Sequence, residues 1–308
     1  MNSLVGYTGF VGSNINASGK FDGLYNSENI QEAFGTEPEL LIYAGLRAEK
    51  FLANHDPAKD MNQIIQAEEN ILKINPKKLV LISTIDVFKI PSGVDEYSAV
   101  NTKGLHAYGF NRYQLELWVR EHFEDALIVR LPALFGKGIK KNFIYDYMNY
   151  IPSMLKTEKF EELAKKNGIL KKYYVSLDNG FYKLQISAEE RNEVREVFEN
   201  LGFSALNFTD SRSRFQFYNL KYLWEDIQMM LDVGAKIWHP AAEPVSAAEI
   251  YRYLTGKTFK NEITGNPAYY DYHTVYSVLF GRNDGYISDK ESVLQEIKDF
   301  TEGRLQNE

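Results

Sequence analysis

The 308-residue chain contains no cysteine, which excludes disulfides, thiolate zinc sites and cysteine nucleophiles. Basic residues are in the minority, because 35 Lys and Arg against 42 Asp and Glu leave a net charge of −7. That balance argues against nucleic acid as the main partner, since phosphate binding requires a basic surface. The five histidines lack metal-ligand spacing, so no metal is predicted.

Long hydrophobic runs are also missing. No stretch of about 18 apolar residues occurs, and the N-terminus shows no basic segment followed by a long apolar one. Neither a membrane span nor a secretory signal is therefore predicted. With 44% hydrophobic and 25% charged residues, the composition is typical of a soluble globular protein, which we expect to be cytoplasmic and to have no membrane partner.

The sequence of the first 135 residues alternates between two patterns. Short apolar runs typical of buried parallel strands are separated by segments with helical spacing. This alternation predicts an α/β fold, a Rossmann-like doubly wound parallel sheet with helices on both faces. The predicted strands are Met1–Val5, Phe21–Tyr25, Leu40–Ala44, Leu79–Ser83 and Leu127–Leu131, and the predicted helices between them are Asp60–Ile74 and Thr102–Phe123.

The character of the chain changes after Gly136. The predicted elements there are a lysine-rich helix at Lys156–Lys172, a hairpin at Tyr173–Gln185 and a charged helix at Glu189–Leu201. We therefore predict a Rossmann core at residues 1–139 and a smaller α+β lobe at residues 140–308, with residues 210–255 partly returning to the core. We expect the lobe to bind the substrate.

Three glycines, Gly6, Gly9 and Gly12, follow the first predicted strand at the point where a helix begins. Glycine there permits a tight turn and a close approach of the backbone to a pyrophosphate, and the helix N-terminus supplies N–H donors and positive potential. In this context the spacing predicts a dinucleotide-binding loop. A plain glycine-rich turn is the alternative, because three glycines at fixed spacing also recur by chance.

The second predicted strand ends at Asn26 and Ser27 rather than at an acidic residue. An acid at this position would bind the ribose 2′-hydroxyl of NAD, so its absence weakens a preference for NAD and leaves NADP open. No arginine stands beside the two residues to bind a 2′-phosphate, so the prediction remains NAD or NADP. The segment from Gly12 to Phe21 is also short, and it leaves room for about two helical turns.

A second cluster combines a hydroxyl, a phenol and a cation. Thr84 closes a strand, and Tyr108 and Arg112 lie four residues apart on the next helix, so the two share a helix face. A phenol with a pKa near 10 is a poor base at neutral pH, but a fixed cation close by lowers that pKa by stabilising the phenolate. The cluster predicts proton transfer by Tyr108, while Thr84 holds the substrate oxygen and a hydride moves between the nicotinamide and the carbon.

Five segments occur in an order and at spacings typical of one family. They are GYTGFVG at 6–12, IYAGLRA at 42–48, LVLISTIDVF at 79–88, YGFNR at 108–112 and RLPALFG at 130–136. With them the chain resembles the extended short-chain dehydrogenases/reductases, the group of nucleotide-sugar epimerases, dehydratases and reductases. The resemblance is good over residues 1–136 and partial over 210–255, while residues 140–208 match nothing in it.

The resemblance implies an enzyme that binds NAD or NADP and acts on a nucleotide-activated sugar. Tyr108 would be the acid/base, Thr84 would orient the substrate, and Arg112 would supply positive charge where the family usually has lysine. Asp86 and Arg214 would bind the substrate, the arginine gripping the nucleotide diphosphate. The implied cofactor contacts are Gly6, Thr8, Gly9, Phe10, Val11, Gly12, Asn26, Ser27, Ala44, Gly45, Arg47 and Pro132.

Reduction or epimerisation of a sugar carbon is the predicted reaction, because Ile85 breaks the acid pair that the family's dehydratases use to eliminate water. The alternative is a non-catalytic protein that binds a dinucleotide or a nucleotide sugar in a degenerate site, which Arg112 and the missing acid favour. A scaffold that docks a partner enzyme through residues 140–208 is a third hypothesis. Family members commonly pair through the helices that flank the sheet, so the resemblance also implies a homodimer.

Overall fold

A computed structural model describes residues 1–177 and 179–305, with only the backbone described at 304 and 305. The chain divides into two compact units. The sheet unit comprises residues 1–139, 214–245 and 268–296, and the second unit comprises residues 140–213, 246–267 and 297–305. The sequence prediction kept residues 268–296 in the smaller lobe, whereas their contacts group them with the sheet. No helix in the described ranges is long and apolar enough to cross a membrane.

The sheet unit is built on one parallel sheet. In chain order the strands of the described ranges are β1 (Asn2–Val5), β2 (Gly23–Tyr25), β3 (Leu40–Tyr43), β4 (Leu79–Thr84), β5 (Leu127–Leu131), β6 (Ala133–Phe135), β7 (Met154–Lys156), β8 (Tyr174–Leu177), β9 (Phe181–Leu184), β10 (Arg214–Phe215), β11 (Phe217–Asn219), β12 (Ile237–Trp238) and β13 (Val245–Ser246). Six of them pair in parallel in the order β12-β5-β4-β3-β1-β2. The predicted doubly wound parallel sheet is therefore confirmed, and its winding direction reverses between β1 and β3.

Helices cover the sheet and build most of the second unit. In chain order they are α1 (Phe10–Ser18), α2 (Lys50–His55), α3 (Pro57–Ile74), α4 (Ala107–His122), α5 (Phe143–Met148), α6 (Thr157–Lys166), α7 (Leu170–Tyr173), α8 (Arg191–Asn200), α9 (Leu223–Asp232), α10 (Ala247–Thr255) and α11 (Lys290–Leu305). The helix predicted from Thr102 begins later because His106 is its N-cap, and Nδ1 of His106 accepts a hydrogen bond from the N–H of Gly109.

Two apolar layers enclose the parallel sheet. Neighbouring residues such as Leu41 and Ile42 point to opposite faces, and both are fully buried. Ile42 joins the layer that contains Ile15 of α1 and Ile227 of α9, whereas Leu41 joins the layer that contains Ile64 of α3. Because both faces are covered, the strands read in the sequence as continuous apolar runs, which is why they were predicted correctly.

The second unit has its own small sheet and core. Strands β7, β9 and β8 pair antiparallel, so the predicted hairpin is confirmed as β8 and β9. The single helix predicted at Lys156–Lys172 is wrong: α6 ends at Lys166, and Asn167 accepts a hydrogen bond from the N–H of Ile169 before α7 starts. Phe160 and Phe198 are among the buried residues of this core.

Candidate active site

The loop between β1 and α1, residues 6–12, is called the glycine loop below. Gly6 has a φ of +88°, and a Cβ there would lie 2.4 Å from the carbonyl oxygen of Ala44. A Cβ at Gly12 would lie 2.1 Å from the carbonyl oxygen of Gly6. Glycine is therefore required at both positions, and the two contacts let α1 begin directly against the ends of β1 and β3.

The start of α1 offers backbone donors to a ligand. Gly9 is exposed and stands at the N-cap, where a Cβ would meet one atom, the carbonyl oxygen of Gly6, at 3.2 Å. The N–H groups of Phe10 and Val11 lie in the first turn, which has no intrahelical acceptors for them. Together with the positive end of the helix dipole, these donors suit a phosphate group. Thr8, also exposed, completes the loop.

The other predicted cofactor residues follow strand ends at the same edge of the sheet. Gly6 donates its N–H to the carbonyl oxygen of Tyr25 at 2.7 Å, which places the end of β2 beside the glycine loop. The side-chain oxygen of Asn26 accepts a hydrogen bond from the N–H of Glu28, so this side chain stabilises a turn. The predicted residues that follow β2, β3 and β5 are Asn26, Ser27, Ala44, Gly45, Arg47 and Pro132.

Tyr108 and Thr84 meet at the end of β4. Tyr108 is buried in the first turn of α4, and the side chain of Thr84 is close enough to its hydroxyl to lower the pKa of the phenol. The next residue, Gly109, approaches the turn after Thr84 so closely that a Cβ would lie 2.1 Å from the carbonyl oxygen of Asp86. This backbone contact fixes the start of α4 against the end of β4. The structure thus brings together the predicted hydroxyl and the predicted phenol.

Arg112 makes a buried ion pair that the sequence did not indicate. Its guanidinium lies over the ring of Tyr108, with 4.3 Å from Cζ to the ring centroid. The same group pairs with Asp60 on α3, and the two side chains are only 4% and 6% exposed. Its second terminal nitrogen donates to the backbone carbonyl of Arg47 at 2.8 Å. Arg112 and Asp60 are called the buried pair below.

The buried pair changes the expected electrostatics of Tyr108. Burial raises the pKa of the phenol above its ordinary value, and the negative charges of Asp86 and Asp60 add to that rise. Arg112 and the side chain of Thr84 lower the pKa but do not reverse the net direction. The expectation that Arg112 brings the pKa of Tyr108 below 10 is therefore wrong, because burial outweighs the cation.

Asp86 carries a second ion pair, which is open to solvent. Its Oδ1 lies 3.0 Å from Nζ of Lys50 on α2, and the two side chains are 18% and 43% exposed. The same oxygen accepts a hydrogen bond from the hydroxyl of Tyr270 at 2.9 Å. Lys50 and Asp86 are called the open pair below. The predicted substrate-binding acid thus stands beside Thr84 and Tyr108, and it is held by two residues from distant parts of the chain.

Arg214 lies next to this group through its backbone. It belongs to β10, and its carbonyl oxygen accepts a hydrogen bond from the N–H of Tyr270 at 3.2 Å. The ring of the following residue, Phe215, stacks on that of Tyr270 at 5.8 Å between centroids. Arg214 itself is half-buried. The structure therefore places the predicted diphosphate-binding arginine in the strand beside Tyr270.

A buried polar network lies behind the site. Glu116 of α4 accepts hydrogen bonds from Ser83, which precedes Thr84, and from Arg130 of β5. Arg130 also approaches Nε2 of His239 at 3.3 Å. Burial and the charge of Arg130 lower the pKa of His239 to about 3, so the ring is neutral and its Nε2 is free to accept this hydrogen bond. The network ties α4 and β4 together behind Tyr108.

Sequence reasoning missed three residues of this region: Asp60, Lys50 and Tyr270. Asp60 is an ordinary first-turn acid of α3, and nothing in its spacing relates it to Arg112. Lys50 lies on the short α2, which was not predicted at all. Tyr270 belongs to a segment, residues 268–296, in which no site residue was predicted. In all three cases the missing information is which segments the fold brings together.

Comparisons with known proteins give one consistent result. No family model and no curated protein sequence matches the chain. The structure is similar to the dTDP-4-dehydrorhamnose reductase of Bacillus anthracis in complex with NADP (16% identity, 98% of this chain and 97% of that chain covered, TM-score 0.62). It is also similar to a UDP-N-acetylglucosamine 4-epimerase from Methanobrevibacter ruminantium in complex with UDP-N-acetylmuramic acid (12% identity, 100% of this chain and 98% of that chain covered, TM-score 0.63). A third similar structure is the UDP-glucose 4-epimerase of Thermotoga maritima with UDP-glucose (14% identity, 100% of both chains covered, TM-score 0.58).

These likenesses extend over both chains almost entirely. At identities of 12–16% they show the fold and not the reaction. The chain has the fold of the extended short-chain dehydrogenases/reductases that act on nucleotide sugars, which confirms at the level of the fold the resemblance that the sequence motifs carry.

Proposed function

We propose that this protein is an NAD(P)H-dependent reductase that converts a ketone of a nucleotide-activated sugar to an alcohol. The observation that carries the proposal is the buried phenol of Tyr108, which lies under the guanidinium of Arg112 and next to Thr84 at the carboxyl end of β4. Because burial raises the pKa of Tyr108, the phenol keeps its proton at neutral pH. A protonated phenol suits the donor of a reduction better than the base of an oxidation.

In this mechanism the chain's own residues bind the carbonyl and deliver the proton. The Thr84 hydroxyl holds the carbonyl oxygen next to Tyr108. Tyr108 gives its proton to that oxygen as negative charge develops on it, and Arg112 over the ring stabilises the phenolate that is left. The glycine loop would hold NADH or NADPH, which would supply the hydride for the carbonyl carbon. Gly109 keeps the phenol at a fixed distance from the end of β4.

The glycine loop fits the pyrophosphate of a dinucleotide. Gly9 is open to solvent, and the start of α1 presents N–H donors that have no intrahelical acceptors. Ala44 and Gly45 lie against Gly6, beside this loop. Arg112 does not fit the role of a cation on the nicotinamide ribose, because its guanidinium is engaged with Asp60 and with the carbonyl of Arg47. We therefore expect the loop, rather than Arg112, to dominate cofactor binding.

The substrate proposal assigns each end of a nucleotide sugar to a charged side chain. Asp86 is beside Thr84 and suits the sugar, since a carboxylate accepts hydrogen bonds from hydroxyls. Arg214 suits the diphosphate, because a guanidinium binds phosphate oxygens in pairs. We assign the choice of sugar to the second unit as well, whose residues 140–208 resemble no known motif.

The test of the reaction is Tyr108→Phe. Loss of the proton donor should lower kcat by about 10²- to 10⁴-fold in an assay of NADPH oxidation with nucleotide keto-sugars. Cofactor affinity should be nearly unchanged, because Tyr108 belongs to α4 and not to the glycine loop that we expect to dominate cofactor binding. Tyr97→Phe is the matched control, since Tyr97 is 82% exposed. Full activity of Tyr108→Phe would rule the mechanism out.

The test of the cofactor is thermal stability with NAD(H) and with NADP(H), each alone. A ligand at a hundred times its Kd adds about 2.7 kcal/mol to the free energy of unfolding. For a chain of this size we expect Tm to rise by roughly 5–10 °C, at about 2–4 °C per kcal/mol. A shift with one cofactor identifies it, whereas no shift with any of the four forms contradicts dinucleotide binding.

The second candidate is a binding protein with a degenerate site, and the buried pair favours it because Asp60 compensates the charge of Arg112. Arg112→Lys separates the two functions. If turnover occurs only in Arg112→Lys, the native protein binds without catalysis. If the native protein turns over and Arg112→Lys does not improve it, the reductase proposal stands.

We also propose a homodimer through α3 and α4. These neighbouring helices expose apolar side chains at seven-residue spacing: Ile65 and Leu72 on α3, and Phe110 and Leu117 on α4, all between 37% and 52% exposed. Such spacing lines one face of a helix. The mass in solution by light scattering should be that of a dimer, and Leu117→Glu should shift it to a monomer while Leu52→Glu on α2 should not.

A further inference from the structure

The first turn of α4, which carries Tyr108, is held by side chains. The leading N–H groups of a helix have no acceptor within the helix, so side chains or water must bind them. In α4 the N–H of Gly109 donates to Nδ1 of His106 at 3.0 Å, and the N–H of Tyr108 donates to the side-chain oxygen of Asn54 at 2.9 Å. The residue that carries the proton donor is therefore held by a side chain from outside its own helix.

The contact with Asn54 joins two separate elements. A helix is usually capped by the residue directly before it. Asn54 precedes Tyr108 by 54 residues and belongs to α2. One turn earlier on α2, Lys50 binds Asp86 in the open pair. One face of α2 therefore holds both the start of α4 and the turn that follows Thr84.

The attachment through α2 differs in kind from the packing between α4 and this turn. The close approach of Gly109 to the carbonyl oxygen of Asp86 sets a lower limit on the distance between the two segments. Such packing does not by itself stop the segments from separating. The hydrogen bond to Asn54 and the open pair link them by attraction, so Asn54 limits how far the start of α4 can move away.

Asn54 contributes little to the core. The helix α2 has six residues, and among them only Ala53 is buried. Asn54 is exposed, and so are its neighbours Phe51 and Leu52. Truncation of Asn54 therefore removes a hydrogen bond but no buried packing, and its effect on the reaction can be separated from an effect on folding.

The proposed reaction is sensitive to the position of the Tyr108 phenol. The side chain lies under the guanidinium of Arg112 in a buried site. A proton donor must come within about 2.6–3.2 Å of the atom that it protonates. A displacement of about 1 Å can lower a rate by a factor of about 10². Because the N–H of Tyr108 is bonded to the Cα that carries the ring, a first turn that frays moves the phenol with it.

We propose, on the premise of the reductase function proposed above, that Asn54 is a positioning residue of the reaction. Its side-chain oxygen holds the N–H of Tyr108 and thereby keeps the phenol within reach of the substrate carbonyl that Thr84 binds. Asn54 acts through the backbone of Tyr108 and takes no part in the transfer of the proton. The role requires an acceptor at this place, which asparagine and aspartate both provide.

The experiment compares the native chain with three variants. Asn54→Ala removes the acceptor, and Asn54→Asp keeps it in a side chain of the same shape. Asp56→Ala is the matched control, because Asp56 is also exposed and its Oδ1 accepts the N–H of Lys59 at 3.0 Å in the first turn of α3. For each protein, kcat, KM and the solvent deuterium isotope effect are measured with NADPH and dTDP-4-dehydrorhamnose, and the hydrogen exchange of the Tyr108 amide is measured by NMR.

In Asn54→Ala we expect kcat to fall about 10-fold while KM changes by less than about twofold. The solvent isotope effect on kcat should increase, because proton transfer from a displaced phenol limits the rate more strongly. The Tyr108 amide should exchange faster. Asn54→Asp should restore kcat to within about threefold of the native value. Asp56→Ala should lower Tm as much as Asn54→Ala does, by roughly 2–4 °C, but keep the native kcat and isotope effect.

Three results would overturn the proposal. They are a native kcat in Asn54→Ala, a failure of Asn54→Asp to restore kcat, and an equal loss of kcat in Asn54→Ala and Asp56→Ala, which would trace the loss to stability rather than to position. If the native chain reduces neither dTDP-4-dehydrorhamnose nor any other nucleotide keto-sugar, the proposed function itself fails. If the native chain turns over and Asn54→Ala equals it, the reductase proposal stands and only the role of Asn54 is wrong.

Discussion

The buried pair and the open pair each place one positive and one negative charge near Tyr108, yet the two pairs differ widely in solvent exposure. Arg112 and Asp60 are 4% and 6% exposed, whereas Lys50 and Asp86 are 43% and 18% exposed. A buried ion pair loses much of its Coulomb gain to desolvation, and removal of one partner leaves an uncompensated charge. An exposed pair costs little to form or to break.

The difference shows which of the two pairs a substrate can rearrange. The buried pair also holds Asn111, whose amide donates to Asp60 at 2.9 Å, so it fixes α3 against α4. In the open pair, both partners of the Asp86 carboxylate among the described residues bind Oδ1, and Lys50 is 43% exposed. We conclude that the buried pair sets the position of the Tyr108 ring, while the open pair belongs to the part of the site that adapts to ligands.

The largest effect should come from breaking the buried pair. Asp60→Asn keeps the shape of the side chain but leaves the Arg112 guanidinium buried without a counter-charge. The free energy of unfolding, measured in urea, should fall by about 3–5 kcal/mol. Glu39→Gln, which removes the fully exposed ion pair with Lys77, is the control and should change little. A loss below about 1 kcal/mol in Asp60→Asn would show that the pair is not needed for stability.

The next prediction tests whether the buried pair contributes to the stability of the fold or to catalysis by Tyr108. The double variant Asp60→Leu/Arg112→Met replaces both charges by apolar side chains, and such replacements are often neutral or stabilising by 1–4 kcal/mol. We expect urea stability close to that of the native chain, together with a lower kcat, because the cation over Tyr108 is gone. Unchanged kcat would remove Arg112 from the mechanism.

A smaller effect is expected from the open pair. Lys50→Met should change the free energy of unfolding by less than about 1 kcal/mol, because both side chains contact solvent. Raised salt should not widen the difference between variant and native chain, since exposed charges are screened. The reductase assay should instead show a higher KM, as Asp86 loses the residue that orients it. A stability loss as large as that of Asp60→Asn would contradict the distinction between the two pairs.

The smallest effect concerns pH. Because the pKa of Tyr108 is raised, the phenol stays protonated at neutral pH. We therefore expect kcat for reduction to be constant between about pH 6 and 9 and to fall only as the pH rises through that pKa, above 10. If Arg112 dominated instead, the pKa would be lowered and kcat would already decline below pH 9. In Asp60→Asn the uncompensated cation should move this decline to lower pH.

The sequence predicted the sheet well because each strand carries its own signal. Strands such as β4 and β5 are apolar runs buried on both faces, and that property is visible locally. The glycine loop could be predicted for the same reason, since its conformation depends on three glycines that directly follow β1. That Thr84 and Tyr108 lie close together could be predicted because they stand at the end of β4 and the start of α4, and the motifs indicate the order of these elements.

What the sequence did not predict is the chemistry set by contacts across the fold. The i,i+4 spacing correctly put Arg112 and Tyr108 on one helix face, but it gave no sign that Asp60 of α3 would compensate the cation. The net rise in the pKa of Tyr108 follows from burial, which spacing does not report. Tyr270 comes from a segment nearly at the other end of the chain, so no local pattern relates it to Asp86.

The contact between Gly6 and the carbonyl of Ala44 bears on the order of folding. Ala44 reaches its place only after β3 has paired with β1, so the glycine loop cannot take its final shape while β1 and α1 stand alone. Bringing Ala44 to Gly6 closes the chain segment between them, and this closure costs conformational entropy before the contact is gained. During synthesis on the ribosome, β1 and α1 would therefore emerge before the glycine loop can adopt its phosphate-binding conformation. We expect cofactor binding to appear late in folding, as a property of the assembled sheet rather than of its first strand and helix.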